Sequence, residues 1–212
     1  MKQKLQPKRK FLYVAMMSAD KFVPTRVRAA VQTWASSIRT WNRNSNVDVE
    51  IFAQSNTTVG VPIVKMPGVS DNVYPPQKVC PNRRWLLANE KASSNHHKNF
   101  QKSFSMMRYV SDHHGSDYEW FLRLDDDAYV HIEHLESLLR RIDSSQPLYI
   151  GSPGFGRDDD DFVEDNMVYC MGGPGIVLSK TTLASLSPKL GKDHYHGLSG
   201  YSSFFMVHIG HF

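Results

Sequence analysis

The stretch Glu119-Trp120-Phe121-Leu122-Arg123-Leu124-Asp125-Asp126-Asp127-Ala128-Tyr129-Val130 decides how this chain is read, because an apolar run ends abruptly in three carboxylates and then resumes. Asp is a poor strand former and adjacent Asp side chains repel one another. A triplet at the end of a buried strand is therefore costly unless a cation sits beside it. A hard divalent ion such as Mn²⁺ or Mg²⁺ takes carboxylate oxygens and keeps coordination positions open for phosphate. In an open α/β sheet the ligand crevice lies beyond the carboxyl ends of the strands, where this reading puts the triplet. A solvated acidic turn is the bland alternative. The apolar strand on one side and Ala128-Tyr129-Val130-His131-Ile132 on the other favour the strand end.

With 212 residues, 41% hydrophobic and 22% charged, the chain can bury one sizeable core, and one domain is the expected count. The net charge of +4 is mild and owes much to a basic leader, residues 1–10, with Lys2, Lys4, Lys8, Arg9 and Lys10. Composition therefore gives no reason to expect nucleic acid, although a basic surface would suit an anionic sugar polymer or a nucleotide diphosphate. Cys80 and Cys170 are the only cysteines, too few for a disulfide framework. No window reaches the ~18 to 20 consecutive apolar residues that a membrane span needs. Phe11 to Ala19 behind the basic leader mimics a signal peptide, but an internal first strand explains the same residues.

Phe11 to Met17 reads as a buried strand. A helix capped by Thr25 should follow, with Val27, Val31, Trp34, Ile38 and Trp41 on its apolar seam, which makes Trp34 and Trp41 core residues rather than a stacking platform. Val47 to Phe52 alternates as a second strand, and Val61 to Met66 is a short third one. A second helix is expected from Lys102 to His114, stopped by Gly115, and then comes the Asp-bearing strand. Ile132 to Ile142 has the spacing of a third helix, Leu148-Tyr149-Ile150 that of a strand, and Gly151 to Asp165 that of a long polar loop. Within this loop Asp158-Asp159-Asp160-Asp161 has no apolar strand leading into it and reads as a solvated acidic run. Strands alternating with helices imply an α/β sheet, mostly parallel.

Downstream lies Cys170-Met171-Gly172-Gly173-Pro174-Gly175-Ile176-Val177-Leu178-Ser179, three glycines in four residues leading into an apolar strand. Glycine there lets backbone approach a ligand closely or take positive φ. A tight turn before a strand would look the same, and the spacing is neither a Walker nor a Rossmann loop. Paired with the carboxylates, however, this loop could face them across a cleft at the sheet edge.

In order, Tyr74-Pro75-Pro76-Gln77-Lys78, Lys102-Ser103-Phe104-Ser105-Met106-Met107, Tyr118 to Asp127, Pro147-Leu148-Tyr149-Ile150-Gly151 and Cys170 to Gly175 resemble the amino-terminal β1,3-glycosyltransferase domain of the chondroitin synthase and chondroitin polymerising factor family, whose relatives include Fringe and the core 1 galactosyltransferase. The resemblance runs from about Phe11 to Leu190. It implies an α/β fold of the GT-A nucleotide-sugar-binding type, a mostly parallel sheet flanked by helices, with its carboxy-terminal part truncated in this chain. It further implies a metal-dependent, inverting hexosyltransferase that moves glucuronic acid from UDP-glucuronic acid, or another UDP-sugar, to a chondroitin glycan acceptor in β1,3 linkage. Asp125 to Asp127 would correspond to the DxD motif. Asp125 and Asp127 would ligate Mn²⁺ or Mg²⁺, and Asp126 would turn toward ribose or a buried donor. Arg123 and Lys78 would meet donor phosphates or the glucuronate carboxylate, with structural ion pairing as their alternative. Gly172, Gly173 and Gly175 would form the donor and acceptor loop. The full-length family protein is a type II membrane protein of the Golgi lumen, and a hetero-oligomer with another synthase subunit is among the partners it implies.

Two departures matter. Val79 to Gln101, a polar, His-rich segment of 23 residues, interrupts a join that the family makes directly, from Gln77-Lys78 to Lys102-Ser103. An unspliced intron translated in frame would explain the seam; on that reading Cys80, Trp85, His96 and His97 carry no function. Secondly, the segment in which the resemblance places the catalytic base and a metal-ligating His has no counterpart in the unmatched tail, residues 191–212. The catalytic residue is therefore left unassigned, Asp193 does not inherit the role, and His194, His196, His208 and His211 read as incidental. The expected domain is thus 11–190, interrupted at 79–101, in a fragment expected to transfer little or no sugar. A non-catalytic polymerising-factor-like partner and a carbohydrate-binding module are the competing readings, and the aspartate trio counts against the second of them.

Overall fold

Lys10–Met17 forms β1, and every residue after Lys10 is buried, as in a central strand covered on both faces. Side chains alternate across it: Leu12, Val14 and Met16 enter one core, and Tyr13, Ala15 and Met17 the other. The computed structural model describes residues 9–41, 46–66, 90–155, 168–170 and 172–190. Lys78 and its Tyr-Pro-Pro-Gln neighbours, the acidic run Asp158 to Asp161 and the tail 191–212 lie outside the described residues.

The helix expected from Thr25 forms in pieces: a π-helical turn at Val23–Val27, then α1 (Arg28–Gln32) and α2 (Trp34–Trp41). Val27, Trp34 and Ile38 are buried, so the apolar seam is core as its spacing implies. Thr25 does not cap the helix, since its hydroxyl donates to the Phe22 carbonyl instead. The break falls at Thr33, whose hydroxyl donates to the Ala29 carbonyl at 2.7 Å while its backbone leaves the helical region at φ −108°, ψ −104°. A hydroxyl inserted into the helical ladder is a recognised cause of such kinks.

Val47–Phe52 is β2, and Ile63–Val64 is β3, shorter than its apolar run suggests. The next helix, α3, spans Glu90–His114 and begins well before Lys102. Nothing from 90 to 101 is Gly or Pro, so no residue there stops the helix from extending. Gly115 ends it; a Cβ at that position would lie 2.5 Å from the Ser111 carbonyl oxygen. Tyr118–Asp125 is β4, Ile132–Leu139 is α4 and Tyr149–Gly151 is β5. Pro153–Phe155 (β6), inside the stretch Gly151 to Asp165 that reads as loop, pairs antiparallel with Val168–Cys170 (β7) beyond it. Ile176–Ser179 is β8, followed by α5 (Lys180–Leu186), a helix absent from the sequence reading. Ser179 caps α5 by accepting from the Thr182 amide.

The main sheet runs β3-β2-β1-β4-β8-β5. Pairings among β3, β2, β1 and β4 are parallel, whereas β8 is antiparallel to both β4 and β5. The sheet is mostly parallel, as expected, with β8 reversed because the glycine turn delivers the chain into it from the carboxyl ends of its neighbours. Strand order changes direction at β1, which has β2 on one side and β4 on the other, and Met17 at the end of β1 is in register with Asp125 at the end of β4. This is a topological switch point, where α/β sheets open a ligand crevice. Helices α1 and α2 pack on one face, and α3 and α5 on the other. Among the described residues, no helix is long and apolar enough to cross a membrane.

Candidate active site

Strand β4 ends at Asp125, and the chain turns at once, with the Ala128 amide donating to the Asp125 carbonyl at 3.3 Å. The three carboxylates therefore leave the strand end in different directions. Asp126 points inward: its side chain is fully buried, accepting from the Ser18 hydroxyl at 2.6 Å and pairing with Arg26 at 3.2 Å. Asp127 faces outward, 59% exposed, with the same Arg26 guanidinium 3.4 Å away. Asp125 lies between them, largely buried, 3.1 Å from the Arg123 guanidinium.

Arg123 reaches the same point from one pleat back along β4. Its guanidinium also donates to the Gly172 carbonyl at 2.7 Å, so one buried side chain joins the aspartate strand end to the glycine turn. The register explains the contact. Arg123 pairs with Ile176, the first residue of β8, and the turn that feeds β8 must then lie at the carboxyl end of β4. The glycines are required individually. A Cβ on Gly172 would come within 2.7 Å of the Arg123 guanidinium, and Gly175 has φ +105°, with Leu122, Arg123 and Leu124 atoms 3.3–3.5 Å from where its Cβ would stand. Gly173 faces open space.

The protein supplies its own cations to this acidic point. Arg26 serves Asp126 and Asp127, Arg123 serves Asp125, and the buried Lys102 of α3 donates to the Ser18 carbonyl and adds a favourable field at Asp125. Even so, burial pushes the Asp125 pKa above the ordinary carboxylate range, more than Arg123 draws it back, with Asp127 and Asp126 adding repulsion. Its Oδ1 is buried and makes no hydrogen bond, although Arg123 Nη2 is 3.1 Å away, since the approach lacks hydrogen-bonding geometry. An oxygen left in this state suits a cation. No group of three His, Cys, Asp or Glu side chains is arranged as a metal cage among the described residues. Two carboxylates are nonetheless a sufficient protein share for a hard ion whose remaining ligands are phosphate and water.

Of the residues singled out in the sequence, Asp125, Asp126, Asp127, Arg123, Gly172, Gly173 and Gly175 gather at this one place. Arg123 holds a structural ion pair and the glycine turn rather than an open position. Ser18, Arg26 and Lys102 are additions from the structure. Ser18 was within reach of sequence reasoning, as the first polar residue after the apolar run of β1. Arg26 carries no such signal, and Lys102, although it opens a segment that carries the family resemblance, has nothing in its local sequence to point it at the carboxylates. A hollow of about 450 Å³ lined by Lys10, Tyr13, Asp48, Glu50, His114 and Tyr118 lies near the opposite ends of β1 and β4. Its polar groups largely pair with one another, with Tyr13 donating to Glu50 at 2.5 Å and Lys10 to Asp48 at 2.7 Å. It is therefore read as a structural network remote from the carboxylate triplet.

The Fringe-like family model matches residues 78–203, more than half of the chain. The chain belongs to the Fringe-like family. As a Fringe-like protein it is 36% identical over 193 residues to human chondroitin sulfate synthase 3, a match covering 87% of the chain and 18% of that protein. It is 30% identical over 88 residues to the Xenopus laevis beta-1,3-N-acetylglucosaminyltransferase lunatic fringe, covering 38% of the chain and 24% of the relative. A third relative, glycoprotein-N-acetylgalactosamine 3-beta-galactosyltransferase 1 of Xenopus laevis, is 30% identical over 86 residues, 41% of the chain and 22% of its own length. The chain thus spans about a fifth of the length of these relatives. The resemblance to chondroitin synthases, Fringe and galactosyltransferases is borne out, as is the mostly parallel α/β fold.

Proposed function

We propose that this chain is the nucleotide-sugar-binding part of a metal-dependent glycosyltransferase that adds a hexose, glucuronic acid in our reading, to a chondroitin-type glycan in β1,3 linkage. The observation that carries the proposal is the Arg123 guanidinium, shared between Asp125 and the Gly172 carbonyl at the switch point of the sheet. It supports a single donor crevice walled by carboxylates on one side and by a close-packed glycine turn on the other. Kinship with named glycosyltransferases supplies the reaction class.

Asp125 and Asp127 are the residues proposed to hold Mn²⁺ or Mg²⁺, which when bound would neutralise the donor diphosphate. Asp126 is committed to Ser18 and Arg26, and so fixes the turn from which its neighbours project. Arg26, already at the rim, is placed to exchange the exposed Asp127 carboxylate for a phosphate oxygen. Arg123 sets the distance between the carboxylates and the glycine turn. Residence in the Golgi lumen and assembly with another synthase subunit belong to the same proposal.

Isothermal titration of the purified chain with UDP tests it. Binding should require Mn²⁺, and Asp127→Ala should abolish it without loss of fold, since Asp127 is largely exposed. UDP binding equally well in EDTA, or equally well to Asp127→Ala, would defeat the reading. Metal-independent binding of glycan alone would favour a carbohydrate-binding module instead.

A further inference from the structure

Beyond Asp127 the chain carries an aromatic row that neither the core nor the carboxylate site uses. Tyr129 is 65% exposed, an unusual position for a large ring whose apolar faces gain from burial. Its ring meets His131 edge to face at 5.2 Å, and His131 stacks on His134 at 5.1 Å with an interplanar angle of 26°. All three side chains are exposed, and the row runs from the turn after β4 onto the first turn of α4. Only Ala128 separates Tyr129 from Asp127, so their Cα atoms are at most about 7 Å apart.

We propose that Tyr129, His131 and His134 form a shelf on which the pyranose rings of the glycan acceptor stack, with Tyr129 as its anchor nearest the reaction centre. The proposal rests on the glycosyltransferase reading above and names where the acceptor lies. A pyranose presents an apolar C–H face and a rim of hydroxyls, the complement of an open ring flanked by imidazole nitrogens that hydrogen-bond. Position favours acceptor over donor. The inner side of the triplet is taken up by Ser18, Arg26 and Lys102 around the end of β1, whereas the row lies past the outermost carboxylate and is open to solvent. An open row of rings suits successive residues of a polymer, and an enclosed crevice suits a nucleotide. Ile132 and Leu139 are buried and anchor α4, the helix that carries His134, to the core.

The test is titration of the purified chain with an unsulfated chondroitin hexasaccharide in the presence of UDP and Mn²⁺, alongside titration with UDP and Mn²⁺ alone. Tyr129→Ala should weaken hexasaccharide binding roughly five- to tenfold, the scale of one lost aromatic contact, and leave UDP affinity unchanged. Tyr129→Phe should retain hexasaccharide affinity within about twofold, because the ring and not the hydroxyl does the stacking. Unchanged hexasaccharide affinity in Tyr129→Ala, or no hexasaccharide binding by a wild-type chain that binds UDP, would overturn the shelf alone. A parallel loss of UDP affinity in Tyr129→Ala would assign the ring to the donor and overturn it too. Failure of the wild-type chain to bind UDP would instead bring down the underlying reading together with the shelf.

Discussion

Replacing Arg123 with Met keeps the length of the side chain but removes the charge that ties β4 to the glycine turn. Two interactions are lost, the 3.1 Å contact with Asp125 and the 2.7 Å hydrogen bond to the Gly172 carbonyl. Both partners are mostly shielded, with side-chain exposures of 11% for Arg123 and 19% for Asp125, so solvent does little to replace what is lost. Removing one partner of a buried pair typically costs about 3 to 5 kcal/mol, because the other charge is left uncompensated. The residual exposure argues for the lower end, and about 3 kcal/mol would be a large share of a typical domain's stability. In a urea titration the midpoint should fall by roughly 1 M with the slope unchanged. The loss should also depend on pH. Asp125 already titrates above the ordinary carboxylate range, and without Arg123 it moves higher still. The folded state then binds a proton that the unfolded state does not, so stability is retained at low pH and declines as pH rises from the ordinary carboxylate range through the raised value. Adding Asp125→Asn to Arg123→Met should recover most of the deficit at neutral pH. A single-mutant cost below about 1 kcal/mol, or a coupling between the two sites near zero, would refute the argument that this pair latches the site.

Gly175→Ala should destabilise the chain by about 1 to 3 kcal/mol, since it forces a side chain to φ +105° against Leu122 and Arg123. Gly173→Ala, facing open space, should change the denaturation midpoint little, and equal effects of the two would contradict the packing described for the turn. Ser179→Ala should cost about 1 to 3 kcal/mol in thermal or urea unfolding, because the one hydroxyl caps α5 through the Thr182 amide, accepts from the Leu148 amide at 3.1 Å and donates to the Gln146 carbonyl at 2.6 Å.

Much of the sheet was legible because apolar periodicity reports burial directly. β1, β2, β4 and β8 are where Phe11 to Met17, Val47 to Phe52, the Asp-bearing run and Ile176 to Ser179 put them. What failed depended on tertiary context. β6 and β7 are three-residue strands whose Pro-Gly-Phe and Val-Tyr-Cys sequences carry no period, and only their mutual pairing makes them strands. Thr25 does not cap the helix because Pro24 sits in the first turn and the helix opens as a five-residue π-turn, Val23–Val27, that places Thr25 inside it. The early start of α3 at Glu90 was missed because a polar stretch without seam residues gives no helical signal of its own. At the site, carboxylates and glycines stand out by composition. The charges that balance them do not: Arg26 comes from a helix about a hundred residues away in sequence and Lys102 from another, and only the fold brings them to the end of β4.

On the proposed function, the aspartates at the end of β4 and the glycine turn before β8 enclose one site for a cation and a nucleoside diphosphate. A crystal structure of the chain soaked with UDP and Mn²⁺, with the metal located by its anomalous signal, would decide it. Manganese should lie within coordination distance of Asp125 or Asp127 and of the diphosphate, with the diphosphate against the Gly172 to Gly175 turn. Manganese and UDP bound together elsewhere on the molecule, with Arg26 and Arg123 still closed on the three aspartates, would contradict it.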